Sequence, residues 1–146
     1  MQTFLPYPNY IRSVQSLDMK RLGKQRVEAM QIIKILENYD QSVGWKNHPA
    51  VKMWVGYINS LKYYTNCCID EWIKRGYKNT ITKYNVDHQN EDPWYIGNAD
   101  FHRAMRARLI EKNEEFYLPK FPDDKNFNKG KYFWPDNKTK TFRIIK

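Results

Sequence analysis

The sequence predicts an all-α fold: a compact single domain over residues 1–146, with about three main helices, an extended N-terminal arm and an irregular aromatic-basic C-terminal tail. Three observations carry that expectation. Apolar residues recur at helical spacing in three stretches. The prolines fall in the arm, at a helix start, in a connector and in the tail, outside helix interiors. The chain's 146 residues, 41% hydrophobic and 16% aromatic, are enough for one sizeable core.

Residues 1–12, with Pro6 and Pro8 among aromatic neighbours, read as extended. Phe4, Leu5, Tyr7 and Tyr10 are too apolar for a loose tail, so this arm should lie on the domain and fix the position of the α-amino group. Ser16 or Asp18 can cap a first helix in which Leu22, the Arg26 stem, Ala29, Met30, Ile33 and Leu36 keep helical spacing to about Tyr39. Asn47 or His48 before Pro49 can start a second helix, which the stripe from Val51 to Trp72 carries forward without a break until Arg75-Gly76 closes it. Tyr77 to Asp100 reads as a connector holding His88 and Asn90, anchored by Trp94 and Tyr95, with a short helix expected near Thr80 to Asn85. Asn98 or Asp100 caps a third helix through Phe101, Ala104, Met105, Arg108, Leu109 and Lys112. Pro119, Pro122 and Pro135 argue against another long helix beyond it.

Lys and Arg number 25 against 16 Asp and Glu, a net charge of +9, which favours a polyanionic partner such as nucleic acid. The charge concentrates in the first helix, where Lys20, Arg21, Lys24, Arg26 and Lys34 face only Asp18 and Glu28. Arg21, Lys24 and Arg26 suit phosphate contact, with a solvated basic face as the bland alternative. Arg108 and Lys112, one turn apart, could reach neighbouring phosphates. The tail interleaves Phe121, Phe127, Tyr132, Phe133 and Trp134 with Lys120, Lys125, Lys129 and Lys131, a mixture suited to phosphate neutralisation and base stacking, or equally to covering the core. Lys131 and Trp134 are the tail's candidate contacts. His48 is either a helix-start cap or loop hydrogen-bonder, or a catalytic or DNA-contacting side chain. Glu28 is either the partner of Lys24 on one helix face or a catalytic acid.

Cys67 and Cys68 are adjacent, which suits reduced core thiols rather than a mutual disulfide. His48, His88 and His102 are scattered, without HExxH or CxxC spacing, so neither a metal nor another cofactor is expected. No apolar run approaches the ~18 residues of a membrane span and no secretory signal is evident, so a cytoplasmic protein is expected, and a monomer because the helix stripes are accounted for by each other.

Four blocks resemble one known family, the pyrimidine-dimer DNA glycosylases with AP lyase activity of the kind phages use against ultraviolet damage. These are Tyr7-Pro8, Val27-Glu28-Ala29, Glu71-Trp72-Ile73-Lys74-Arg75-Gly76-Tyr77 and Ala107-Arg108-Leu109-Ile110-Glu111-Lys112. The resemblance implies an arm that threads between helices and delivers the terminal amine to a basic concave face. It implies double-stranded DNA as partner, attack of the first residue's α-amino group on C1′ of the damaged nucleotide, an imine, and β-elimination. Met1 would then be the nucleophile and Glu28 the carboxylate supporting the sugar chemistry. An α-amine with a reference pKa of ~7.7 to 8.0 is partly neutral near physiological pH, as a nucleophile must be. Two other readings stay open, a non-catalytic nucleic-acid-binding module and a monofunctional glycosylase in which Glu28 activates water. The Trp45-Lys46-Asn47-His48-Pro49 block falls outside these four blocks of resemblance.

Overall fold

The computed structural model describes residues 1–41, 44–86 and 92–145. Among them the order is α1 (Tyr10–Gln15), α2 (Met19–Glu37), α3 (Pro49–Lys52), α4 (Ile58–Lys74), α5 (Ala99–Lys112), α6 (Glu114–Tyr117), β1 (Tyr132–Asp136) and β2 (Thr141–Ile145). Short 3-10 turns lie at Tyr39–Gln41, Trp45–Asn47 and Pro122–Asp124. The architecture is mostly helical, and the small antiparallel sheet corrects the expectation of an all-α chain.

α2 and α4 form the centre. α2 buries Leu22, Gln25, Ala29, Ile32 and Ile33 along one stripe, and α4 answers with Leu61, Tyr64, Thr65, Cys67, Cys68 and Ile69. Burying Leu22, Ile32 and Ile33 completely contributes about 1.5–3 kcal/mol each, before the entropy of ordering them. Gly23 lets the end of α4 come close, because a Cβ there would stand 3.1 Å from the Trp72 ring. Both cysteines are free and buried on α4.

The expected helix from Val51 to Trp72 is two helices. Between them Trp54 is fully buried with its indole N–H donating to Thr3 Oγ1 at 2.9 Å, and the Met53 carbonyl accepts from the Tyr95 hydroxyl at 2.9 Å. Gly56 turns the chain at φ 87°, a left-handed conformation that glycine adopts without strain. Tertiary hydrogen bonds thus outweigh the helical register of the stripe. His48 caps α3 by accepting the Ala50 amide at Nδ1 (3.0 Å), with Pro49 following at the first helical position.

Other boundaries shift for local reasons. The arm bends over residues 6–9, and the Asn9 side chain accepts from the Arg12 amide and starts α1, so residues 10–12 are helical. At the start of α2 the Asp18 carboxylate does not cap the helix but accepts a hydrogen bond from the Tyr117 hydroxyl. The short helix expected at Thr80 to Asn85 does not form. Asn79 bonds both backbone groups of Ile81, and Asn66 brackets the backbone of Tyr84 at 2.8 Å on each side, so side-chain amides replace helical bonds. His88 and Asn90 lie outside the described residues. α5 starts as expected at Asn98, whose Oδ1 accepts from the Phe101 amide at 3.0 Å.

The tail folds as a β1–β2 hairpin, with Tyr132 opposite Ile145 and Asp136 opposite Thr141. Asp136 Oδ1 accepts from Lys138 N and Thr139 N, and Lys140 takes a left-handed φ of 57° to close the turn. Phe133 stacks on Phe142 across the pair at 4.5 Å. Pro135, which argues against a helix, is tolerated because each strand of a two-stranded sheet is an edge. The hairpin is tied to the helices by Asn137, which accepts from the Trp94 indole at 2.8 Å and donates to the carbonyls of Lys52, Met53 and Val55.

Candidate active site

The arm is held residue by residue. Gln25, fully buried on α2, accepts the Phe4 amide at Oε1 (2.7 Å) and donates from Nε2 to the Gln2 carbonyl (2.8 Å). The Tyr64 hydroxyl on α4 lies 2.7 Å from both the Phe4 carbonyl and Gln25 Oε1. From α5, His102 Nδ1 meets the Leu5 carbonyl at 2.7 Å and Arg106 donates to the Pro6 carbonyl at 2.8 Å. Three helices therefore grip the arm, and Thr3, Phe4, Leu5 and Pro6 are buried between them.

The His102 contacts fix its tautomer. A carbonyl can only accept, so Nδ1 carries the proton. Nε2 in turn accepts from the Gly97 amide at 2.9 Å. Both ring nitrogens are satisfied in the neutral form. Burial pushes the imidazole below its usual pKa and the Arg106 charge adds to that, while the bond to the Leu5 carbonyl opposes it.

This grip sets the chain start against α2. The Gln2 amide donates to Glu28 Oε2 at 2.9 Å, one residue from the α-amino group. The pair of Glu28 with Lys24 that helix spacing allows is not among the ion pairs of the described residues. A cleft of about 490 Å³ opens here, lined by Met1, Gln2, Phe4, Arg21, Lys24, Glu28, His48, Pro49, Lys112, Tyr132, Trp134 and Ile145. Arg21, Lys24 and Glu28 reach it from one face of α2, Lys112 from the last turn of α5, and Tyr132, Trp134 and Ile145 from the hairpin. The α-ammonium group stands near enough to His48 to reinforce the lowering of its pKa, for which burial is the larger cause.

Seven of the residues singled out from the sequence meet in this cleft: Met1, Arg21, Lys24, Glu28, His48, Lys112 and Trp134. The other three lie outside it. Arg26 donates to Asn79 Oδ1 at 2.8 Å and lies over the Trp72 ring at 4.9 Å. Arg108 is buried, and its guanidinium donates to the carbonyls of Phe127, Asn128 and Lys131 and to Glu111. Arg108 thus holds the tail, and of the pair only Lys112 lines the cleft. Lys131 is exposed, and its carbonyl is one of those Arg108 binds.

Sequence reasoning missed Gln25, Tyr64, His102 and Tyr132. Gln25 left a trace, since an amide sits within the apolar stripe between Leu22 and Ala29. Tyr132 was one of many tail aromatics until the hairpin gave it a side. Among the described residues no group of three or more His, Cys, Asp or Glu side chains converges, and no helix is long and apolar enough to cross a membrane.

The cleft thus gathers an α-amine, a carboxylate and the cations Arg21, Lys24 and Lys112. The family model for pyrimidine dimer DNA glycosylase matches residues 1–85. The chain belongs to this family of DNA repair glycosylases. The match includes the arm, Glu28 and His48, whereas Lys112, Tyr132 and Trp134 come from beyond it. In comparisons with curated proteins and with solved structures, nothing matches.

Proposed function

We propose that this glycosylase is also an AP lyase, acting as a monomer on duplex DNA that carries a pyrimidine dimer or a related damaged pyrimidine. The observation that carries the reading is the 2.9 Å bond from the Gln2 amide to Glu28, which keeps the Met1 amine and a carboxylate in one cationic cleft. The neutral amine attacks C1′ as the glycosidic bond breaks. Opening of the sugar ring at O4′ then gives the imine, and loss of a C2′ proton expels the 3′ phosphate by β-elimination. Glu28 Oε2 is oriented by the Gln2 amide, and the carboxylate stabilises the cationic sugar and moves protons during ring opening. Arg21, Lys24 and Lys112 hold phosphates around the lesion. Tyr132, stacked on the buried Trp134, gives the distorted duplex an aromatic surface.

Borohydride reduction of a reaction with ultraviolet-irradiated duplex tests this directly. The expected result is a covalent protein–DNA adduct whose mass and fragmentation locate the DNA on the Met1 nitrogen, formed equally well in EDTA. Base excision with no adduct would instead select a monofunctional glycosylase, and binding with no chemistry would select a non-catalytic module.

A further inference from the structure

We propose that His48 is a catalytic hydrogen-bond donor to the departing pyrimidine, acting through Nε2–H on the base oxygen O2. This deepens the imine reading and rests on it.

The geometry fixes which nitrogen can donate. Nδ1 accepts the Ala50 amide at 3.0 Å as the cap of α3, so the neutral ring carries its proton on Nε2. Nε2 has no protein partner among the described residues, and His48 lines the same cleft as Met1 and Glu28. Protonating the ring would place a hydrogen on Nδ1 and break the cap, so the fold itself favours the neutral donor. Burial and the nearby α-ammonium group act in the same direction.

The surroundings of the ring suit a base rather than a phosphate. Trp45 packs on it with centroids 5.3 Å apart, Trp134 meets it edge-on at 6.1 Å, and Tyr132 stacks on Trp134 at 5.8 Å. A neutral donor among aromatic faces recognises a planar base with a carbonyl oxygen, while Arg21, Lys24 and Lys112 already supply charge for phosphates. When the C1′–N1 bond breaks, its electron pair leaves with the base and spreads over N1 and O2. The base then takes up the proton that the attacking amine releases. His48 keeps its own proton and stabilises the negative charge on O2 as it grows.

Imine formation has a leaving base on dimer-containing DNA and none on a preformed abasic site, which gives the test. His48→Asn and His48→Ser both retain a cap acceptor for the Ala50 amide but lose the ring donor. Borohydride trapping with dimer-containing duplex should slow on the order of 10²-fold, the scale of losing one preorganised donor. Trapping with abasic duplex should stay within about twofold, because that reaction has no base to expel. Equal losses on both substrates in both variants, or no loss on either, overturn the assignment to His48. Wild-type protein that traps neither substrate overturns the imine reading beneath it, and the two failures are distinguishable.

Discussion

In the proposed chemistry Glu28 does two things with one carboxylate, and an isosteric change separates them. In Glu28→Gln an amide oxygen can still accept the Gln2 amide, so the arm keeps its place while the charge and basicity vanish. Single-turnover cleavage of dimer-containing duplex should fall by about 10²–10⁴-fold. DNA affinity, followed by fluorescence anisotropy, should hold or rise slightly. Gln25 has the opposite character, since it supports structure and touches no substrate. Gln25→Leu would strand the Phe4 amide and the Gln2 carbonyl, each costing about 1–3 kcal/mol, and urea unfolding should show a loss of that order or greater. His102 adds a pH dependence to the same grip. Its folded pKa is depressed below the unfolded value of about 6.5, so below that pH the unfolded state binds more protons. The stability it contributes is present above about pH 6.5 and declines as the pH falls, which urea midpoints between about pH 7.5 and pH 5.5 would register. At this scale the sequence was informative where a residue was out of place. Glu28 stood out as a lone acid beyond the basic cluster. His102 and Tyr64 did not, because a polar group whose bonds go to backbone carbonyls far along the chain leaves no local pattern.

α5 shows how a basic helix can be misread from its composition. The sequence pairs Arg108 with Lys112 for phosphate contact, yet Arg108, like Arg103 and Arg106, is committed elsewhere. Arg103 and Arg106 converge on the buried Asp124 at 3.0 and 2.7 Å, Arg106 also binds the arm, and Arg108 fastens residues 127–131. Arginine suits such work because its planar fork satisfies several carbonyl and carboxylate oxygens together. Arg108→Ala should therefore act on stability, by roughly 3 kcal/mol given the loss of a buried charge and the stranding of its partners, and leave the salt dependence of DNA binding unchanged. Lys112→Ala should do the reverse, weakening binding and lowering the salt slope by about one counterion, with little change in unfolding. Helix positions were legible because periodicity and caps are local, as Asn98 and His48-Pro49 illustrate. The break at Gly56 and the β1–β2 hairpin were not. The first is imposed by Thr3, Tyr95 and Asn137 from distant parts of the chain. The second depends on cross-strand pairs such as Phe133 with Phe142, which a scan for helical spacing passes over.

Across the molecule, the cleft joins segments from both ends of the sequence. The family match stops at residue 85, but His102 and Arg106 hold the arm from outside it, and Tyr132 and Trp134 complete the wall facing His48. The net charge of +9 attracts DNA over the whole basic surface, whereas the proposed chemistry depends on one nitrogen. These contributions should come apart when the amine is altered. The arm is bonded from Gln2 through Pro6, so an extra residue before Met1 cannot be absorbed by sliding the arm forward without breaking the bonds to Glu28, Gln25, Tyr64, His102 and Arg106. It would instead fill the cleft and place the new amine beyond its present position. Acetylating the Met1 amine changes less volume and removes its nucleophilicity outright. Acetylated protein should keep its unfolding midpoint and bind duplex with a salt slope within about one unit of the unmodified protein, since at most one cation is lost. It should form no borohydride adduct with either dimer-containing or abasic DNA. Strand cleavage at abasic sites that survived complete acetylation would assign the lyase step to a different nucleophile, such as Lys24 on the same cleft wall.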